Sequence, residues 1–248
     1  MEAIEHPPLF AIPGVPDHLT YTWIAMVILV VVGLLASRRL QLAPVGLQNF
    51  MEIVLEQFLT LLDEVVGHEG RRYLPLIATL GLFILTSNLL GLVPGFMAPT
   101  SNINTTAACA LIVFFTYHWI GVRKQGVGPY LRHLCGPVLW LAPLMFIVEI
   151  FSHAARPLSL ALRLFGNMTG GHILLAVIFS LTLGMVGWAA SGSLPGVLLG
   201  LPGSVLLIAF TAGFLLPLKI LVAFLQAFIF CMLSMLYIAG AVEEAEHH

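Results

Sequence analysis

One arginine lies inside a long apolar stretch of this 248-residue chain. Arg163 is flanked by leucine on both sides, with alanine and phenylalanine close by. Its guanidinium keeps its proton at any physiological pH, so it cannot escape a low dielectric by becoming neutral. Holding such a charge in hydrocarbon costs from about 2.5 to more than 10 kcal/mol, and such residues usually face a partner or a water-filled cavity. Arg163 is therefore our first candidate for a functional residue.

Further polar residues share a helical face with Arg163. On a helix that turns by about 100° per residue, five polar side chains fall within an arc of about 80°. They are Glu149, His153, Arg156, Arg163 and Asn167, with Ser159 at the edge of the arc. His172 projects about 140° away from Glu149 unless Gly170 and Gly171 bend the helix. A polar stripe of this kind lines an aqueous passage or a protein interface.

A second, sparser stripe comes near the end of the chain. Lys219, Gln226 and Tyr237 are 7 and 11 residues apart, which places them within about 20° of one another on a helix. Antiparallel packing of the two stripes predicts Gln226 near Arg163, and Lys219 near His172 or Glu149.

Structural roles compete with chemical ones for several of these side chains. Arg156 and Lys219 could extend to the membrane interface or pair with Glu149. His153 could be a packing histidine, and the glycines near residue 170 could form a small-residue packing surface.

The composition indicates the solvent in which these helices fold. Hydrophobic residues make up 59% of the chain and charged residues 9%, whereas a soluble domain carries about 25% charged residues. We therefore expect one integral membrane domain over residues 1–248. The net charge of -2 gives no reason to expect a nucleic-acid partner. Cys109, Cys135 and Cys231 lack metal-site spacing and are expected to be buried thiols.

The hydrophobic pattern predicts an all-α, polytopic protein with about five membrane helices. The predicted spans are 21–37, 73–93, 105–122, 138–190 and 197–241. The last two are far longer than the roughly 20 residues that cross a bilayer, so we expect a strongly tilted helical hairpin, with kinks at its prolines and at Gly166. Between the first two spans, residues 45–66 carry carboxylates on one face and predict an amphipathic helix at the interface.

Basic residues predict the orientation. Arg38, Arg39, Arg71, Arg72, Arg123, Lys124 and Arg132 flank connections that can share one side, and the loops near 94–104 and 189–196 have no basic residue. The basic side is expected to be cytoplasmic. The N-terminus is then outside and the acidic tail that begins at Glu243 is inside. The first 37 residues contain no lysine or arginine, which argues against a secretory signal peptide.

Three segments resemble subunit a of the rotary F-type ATP synthase. They are PLSLALRLFGNM at 157–168, LQAFIF at 225–230 and PTSNINTT at 99–106. The likeness extends over about residues 40–242. It implies an ion-translocating stator subunit, without catalysis of its own and without a cofactor, in the inner membrane of a bacterium. The implied partners are a ring of c subunits, the peripheral-stalk b subunits and, through the complex, the soluble ATPase head. Two half-channels would carry the coupling ion, expected to be a proton, to carboxylates on the c ring.

The resemblance also implies roles for particular residues. Arg163 matches the family's essential arginine, whose fixed charge would favour the ionised ring carboxylate and block a direct proton leak. Gln226 matches a glutamine that faces it, and His172 a titratable group on the ion path. Further matching or lining positions are Asn102, Asn104, Glu149, Ser152, His153, Arg156, Ser159, Asn167 and Tyr237. Lys219 departs from the family, since many relatives carry His or Glu there.

A cation-coupled secondary transporter is the alternative function for a chain with intramembrane charges. Such transporters usually contain inverted repeats and paired broken helices, and the sequence shows no convincing repeat. An intramembrane enzyme is disfavoured because the nucleophile and metal motifs of hydrolases and proteases are absent from the sequence.

Overall fold

A computed structural model describes residues 12–38, 40–93, 95–134 and 142–243. Within these ranges the chain is helical and contains no strand. The helices are α1 Asp17–Ser37, α2 Leu47–Val65, α3 Leu74–Leu90, α4 Ile103–Gln125, α5 Val127–Leu134, α6 Ala142–Ala190, α7 Leu201–Phe210 and α8 Leu216–Glu243. The predicted all-α class is therefore confirmed. Cys135, residues 138–141 of the fourth predicted span and the tail after Glu243 lie outside the described residues.

Five helical segments of the described chain are long and apolar enough to cross a membrane. They are Asp17–Ser37, His68–Leu90, Ile103–Gln125, Leu144–Ala190 and Gly196–Val242. The protein is thus a multi-pass membrane protein, as its composition predicts. The short helix α5 was not predicted, because its eight residues are too few to establish a helical period. Gly126 has a φ of +83°, a conformation that glycine adopts without strain, and this residue separates α4 from α5.

The amphipathic helix predicted at 45–66 is present as α2. Its Leu62 is fully buried, and its carboxylate Asp63 lies 2.6 Å from the Nη2 of Arg71. The hydrogen bonds from Arg71 hold the pKa of Asp63 below its ordinary value of 3.8. Nearby, the carboxylate of Glu69 forms ion pairs with both Arg72 and Lys124, and Lys124 belongs to the last turn of α4. These surface ion pairs fasten α2 and α4 to the turn that precedes α3.

The predicted helical hairpin consists of α6 and of the arm that contains α7 and α8. At 1.5 Å per residue, the 49 residues of α6 extend over about 73 Å, more than twice the thickness of the hydrocarbon. The α6 backbone stays helical through Pro157 and Gly166. The other arm contains π-helical turns at Gly196–Gly200 and Thr211–Leu215.

Each π-helical turn comes just before a proline of the second arm. Pro202 and Pro217 are the second residues of α7 and α8. A proline ring clashes with the carbonyl four residues earlier, and in both cases that carbonyl belongs to the wider turn. The irregularities of this arm therefore lie where the sequence predicts them.

The core lies where α3, α4, α6 and α8 meet. Ile84, Val113, Leu164 and Phe230 come from these four helices and are at most 1% exposed. On α6 the buried residues Leu160, Ala161, Leu164 and Met168 cover about 100° of the helix. The opposite face of α6 is exposed, and Arg163 lies on this face.

Candidate functional site

Arg163 lies on the outer face of α6, away from the core. Its side chain is exposed, and it makes no hydrogen bond or ion pair with any other residue in the described ranges. The exposed apolar residues of this face include Leu158 and Leu162, and the exposed residues one turn away on either side of Arg163 are Ser159 and Asn167. An unpaired permanent charge therefore stands on an apolar surface, where lipid alone could not satisfy it.

Asn167 connects Arg163 to the second arm of the hairpin. It lies one helical turn beyond Arg163, and its Nδ2 donates a 2.6 Å hydrogen bond to Oε1 of Gln226. Gln226 is 2% exposed, and its own Nε2 has no hydrogen-bond partner among the described residues. The two polar stripes thus meet in the predicted antiparallel register, with Asn167 as the direct contact of Gln226.

The first of two polar cavities lies on the C-terminal side of Arg163 along α6, and we call it the lysine cavity. Its volume is about 170 Å³. Its polar lining consists of Asn88, Asn167, His172 and Lys219, and the rest includes Gly91, Gly171, Leu215 and Val222. Lys219 belongs with His172, which is one of the two positions that the stripes predict, and not with Glu149.

Two glycines make room for the Lys219 and His172 side chains of the lysine cavity. A Cβ on Gly171 would lie 2.8 Å from Cε of Lys219, and one on Gly91 would lie 3.0 Å from Nε2 of His172. Both distances are shorter than ordinary van der Waals contact, so side chains here would displace the amine or the imidazole. The small residues near position 171 therefore allow the Lys219 side chain to pack against α6.

A hydrogen-bonded pair fixes the α3 side of the lysine cavity. Asn88 is 1% exposed. It accepts a 2.7 Å hydrogen bond from the hydroxyl of Thr100 at Oδ1 and donates to the carbonyl of Ala223 at 3.3 Å. A buried amide is expensive to leave unpaired, so this network positions the loop after α3 against α8.

The second polar cavity lies on the N-terminal side of Arg163, and we call it the tyrosine cavity. It also has a volume of about 170 Å³. Its lining consists of Tyr117, Tyr130, His153, Arg156, Leu236, Tyr237, Gly240 and Ala241. A cavity of this volume has room for several water molecules, and the hydroxyl, imidazole and guanidinium groups of this lining can hydrogen-bond to them.

Aromatic rings hold the cation of the tyrosine cavity. The Cζ of Arg156 lies 5.9 Å from the ring centroid of Tyr117 and 5.5 Å from that of Tyr237. Both distances are within the range of cation–π attraction. His153 accepts or donates a hydrogen bond with the Tyr117 hydroxyl, and Glu149 lies 3.3 Å from the other ring nitrogen of His153. Glu149 is thus placed with His153, and the predicted alternatives that pair it with Arg156 or Lys219 are wrong.

The remaining predicted residues divide between the surface and one helix terminus. Ser152 and Ser159 are exposed on α6, and Asn104 is exposed on α4. Asn102 accepts a 2.9 Å hydrogen bond from the backbone nitrogen of Asn104, so it caps the N-terminus of α4. Among the described residues, no cluster of three or more His, Cys, Asp or Glu side chains is placed to hold a metal ion.

Sequence reasoning missed the contributions of α3 and α4. Asn88 was detectable, because a lone amide inside an apolar span needs a partner just as a charge does. Tyr117 and Tyr130 carried no such signal, since tyrosines near the end of a span are common interface residues. Only the packing of α4 and α5 against α6 shows that their rings face His153 and Arg156.

The chain is similar in sequence to known proteins over most of its length. The sequence pattern of the family described as ATP synthase A chain matches residues 19–239. The chain is 47% identical over 229 residues to ATP synthase subunit a 1 of Pelobacter propionicus, covering 92% of this chain and 89% of that protein. ATP synthase subunit a of Geobacter sulfurreducens is similarly 47% identical over 92% of this chain and 89% of its own length. ATP synthase subunit a of Citrifermentans bemidjiense is 46% identical over 97% of this chain and 93% of its own length.

Proposed function

The chain belongs to the ATP synthase A chain family, and from this premise we propose that it is the ion-translocating stator subunit of an F-type ATP synthase. Arg163 faces a ring of c subunits whose carboxylates pass it in turn. The two polar cavities are the inner ends of two half-channels. Ion flow through them drives rotation of the ring, and ATP is made in the soluble head, so the chain has no ATPase activity alone.

The exposed, unpaired Arg163 is the observation that carries this proposal. Its charge requires a counter-charge at membrane depth, and no acidic residue of the described chain lies within ion-pair distance of it. A carboxylate on a neighbouring subunit would satisfy it. If that carboxylate moves on, it must regain a proton before it enters lipid, because an isolated ionised group there is too costly. Transient pairing thus forces ion release on one side of Arg163 and ion uptake on the other.

The placement of the cavities supports two offset half-channels. His153 precedes Arg163 by 10 residues and His172 follows it by 9, so the two cavities lie about 15 Å and about 13 Å from it along α6. Arg163 stands between them on the same helix. Because a guanidinium does not readily give up its proton, it would prevent protons from passing straight from one cavity to the other.

Orientation and partners complete the proposal. Arg71, Arg72, Arg123 and Lys124 would lie on the cytoplasmic side of a bacterial inner membrane, with the N-terminus outside and the C-terminus inside. The tyrosine cavity then opens toward the cytoplasm and the lysine cavity toward the outside. The c ring would cover the Arg163 face, and the peripheral-stalk b subunits would hold the chain against rotation.

Substitution of Arg163 tests the proposal in the assembled complex. In membrane vesicles, Arg163→Ala should reduce proton-driven ATP synthesis by at least about a hundredfold, while the complex still co-purifies with its c ring. Arg163→Lys should fail as well, because an ammonium in this position can release its proton. The matched control is Arg123→Ala, which removes an exposed arginine from the end of α4 and should leave synthesis unchanged.

The opposite results would overturn the proposal. Near-normal synthesis by Arg163→Ala would show that this charge does not couple ion flow to rotation. Purification of the chain as an autonomous carrier, without a c ring or an ATPase head, would favour a secondary transporter instead.

A further inference from the structure

Three side chains form a row at the wall of the tyrosine cavity, joined by one hydrogen bond and one contact at ion-pair distance. The Tyr117 hydroxyl lies 3.1 Å from Nδ1 of His153, and Nε2 of the same imidazole lies 3.3 Å from Oε1 of Glu149. Tyr117 is 2% exposed, whereas Glu149 is partly exposed on α6. The row therefore leads from a buried phenol beside the cavity to a carboxylate nearer the surface of the protein.

Each member of the row has the chemistry to pass a proton to the next. A phenol can donate and accept at its single oxygen, an imidazole has a donor and an acceptor on opposite sides of its ring, and a carboxylate accepts. The imidazole is the only side chain whose ordinary titration falls near neutral pH. It occupies the middle position, where it must both receive and release.

Other titratable and charged groups surround His153. His118 of α4 lies with its ring centroid 5.1 Å away, but its Nδ1 faces the backbone carbonyl of Phe114 at 2.9 Å. Arg156 stands between the rings of Tyr117 and Tyr237, and Tyr130 of α5 also lines the cavity. Arg156 places a fixed positive charge in the cavity, which opposes a hydrated metal cation but does not interrupt the contacts of the row beside it.

We propose that Tyr117, His153 and Glu149 form a proton relay along the wall of the tyrosine cavity, which rests on the proposed function and assigns the proton as its coupling ion. Cavity water gives a proton to the Tyr117 oxygen as the phenol passes its own proton to Nδ1 of His153. The imidazole then releases its Nε2 proton to the Glu149 carboxylate. Glu149 gives that proton to water, and reversal of the imidazole tautomer restores the row. The number of protons is conserved in each transfer.

Proton pumping driven by ATP hydrolysis tests the relay, because it takes protons up from the cytoplasmic side and so runs the same transfers in reverse, from Glu149 to the cavity water. The proteins are the complete complex in membrane vesicles, carrying His153→Gln or Tyr117→Phe. Glutamine cannot accept and release protons, and phenylalanine lacks the hydroxyl. Both variants should pump about tenfold more slowly than wild type at about pH 8. The loss should be much smaller at about pH 6, where free protons are a hundredfold more abundant.

The pH profile separates a relay from a merely structural role. A packing defect would reduce pumping equally at both pH values, or would reduce the amount of assembled complex, and either result would overturn the proposal. Unchanged pumping by His153→Gln would overturn it too. The matched control is His118→Gln, the same substitution in the adjacent ring, which should retain the wild-type rate and profile.

The same vesicles distinguish failure of the relay from failure of the proposed function. If Arg163→Ala abolishes pumping while His153→Gln and Tyr117→Phe retain the wild-type profile, the relay is wrong and the stator function stands. If Arg163→Ala pumps normally, the proposed function itself is wrong.

Discussion

The two polar cavities have the same volume and differ in how they hold their cations. In the tyrosine cavity, Arg156 stands between two aromatic rings. In the lysine cavity, Lys219 extends over a glycine of α6, and it makes no hydrogen bond or ion pair with another residue in the described part of the chain. Aromatic contacts therefore fix Arg156, whereas the glycine leaves space for the side chain of Lys219.

This difference follows from the chemistry of the two side chains. A guanidinium is always charged and stacks on aromatic faces, whereas an ammonium on a flexible stem can lose its proton when it is desolvated. The tyrosine cavity therefore has a permanent positive charge beside the row formed by Tyr117, His153 and Glu149. The lysine cavity has a cation that can itself take part in proton transfer. Substitutions at each cavity should separate these two modes.

The largest effect is expected from removal of the amine of the lysine cavity. Lys219→Met keeps most of the side-chain volume but cannot carry a proton. We expect ATP synthesis in vesicles to fall about tenfold, which corresponds to about 1.4 kcal/mol in the barrier. Lys219→Arg should not restore it, because a guanidinium does not release its proton. Restoration by arginine would show that only a positive charge is needed, and the contrast between the cavities would be lost.

Two neighbouring glycines provide a control for the position of the amine. Gly171→Ala places a Cβ 2.8 Å from Cε of Lys219, whereas a Cβ on Gly170 meets nothing within 4 Å. Because both changes have the same effect on helix propensity, only Gly171→Ala should reduce synthesis. Equal rates in the two variants would mean that the position of the Lys219 side chain beside Gly171 is unimportant for ATP synthesis.

A smaller effect is expected at the link between the two arms. Gln226→Leu preserves volume in an apolar environment but removes the acceptor of the Asn167 amide. Asn167 lies one turn from Arg163, so its release should disturb the surface that the ring carboxylates pass. We expect about a threefold loss of ATP synthesis with normal assembly.

Another buried polar group on α8 provides the matched control. Ser234 is fully buried, and within the described ranges its hydroxyl donates a hydrogen bond only to the Phe230 carbonyl of its own helix, at 2.7 Å. Ser234→Ala should therefore keep normal synthesis. A loss equal to that of Gln226→Leu would indicate a general sensitivity of α8 rather than a role for the link.

The stripes were predictable from the sequence because they depend on helical geometry alone. Antiparallel packing of α6 and α8 predicted Gln226 near Arg163, and the structure places it against Asn167, one turn away; of the two positions predicted for Lys219, the structure has the one near His172. The partners from other helices were not predictable. Glu149 and His153 stand one turn apart on α6, so a helical projection allows their pairing, but the choice between His153, Arg156 and Lys219 depends on side-chain conformation, which the projection does not contain. The aromatic wall from Tyr117 likewise depends on how α4 packs against α6.

The smallest effect is expected outside the membrane, at the ion pair between α2 and the turn before α3. Asp63 lies 2.6 Å from Nη2 of Arg71, and this bond lowers the pKa of the carboxyl from its ordinary value of 3.8. Because the pKa of this carboxyl is lower in the folded protein, its ionised form stabilises the fold at pH values above the ordinary pKa. That stability is lost as the pH falls through the lowered pKa. Asp63→Asn should therefore lower the Tm of the purified complex by less than about 3 °C near neutral pH.

This difference in Tm should stay constant down to about pH 5 and shrink only in stronger acid. Asp63 touches neither cavity. The loss of activity caused by Lys219→Met, divided by the loss caused by His153→Gln, should therefore be the same with and without Asp63→Asn. A change in that ratio would show that the cavities depend on the surface frame around α2. An unchanged ratio would show that the difference between the two cavities arises from the rings around Arg156 and the glycine beneath Lys219.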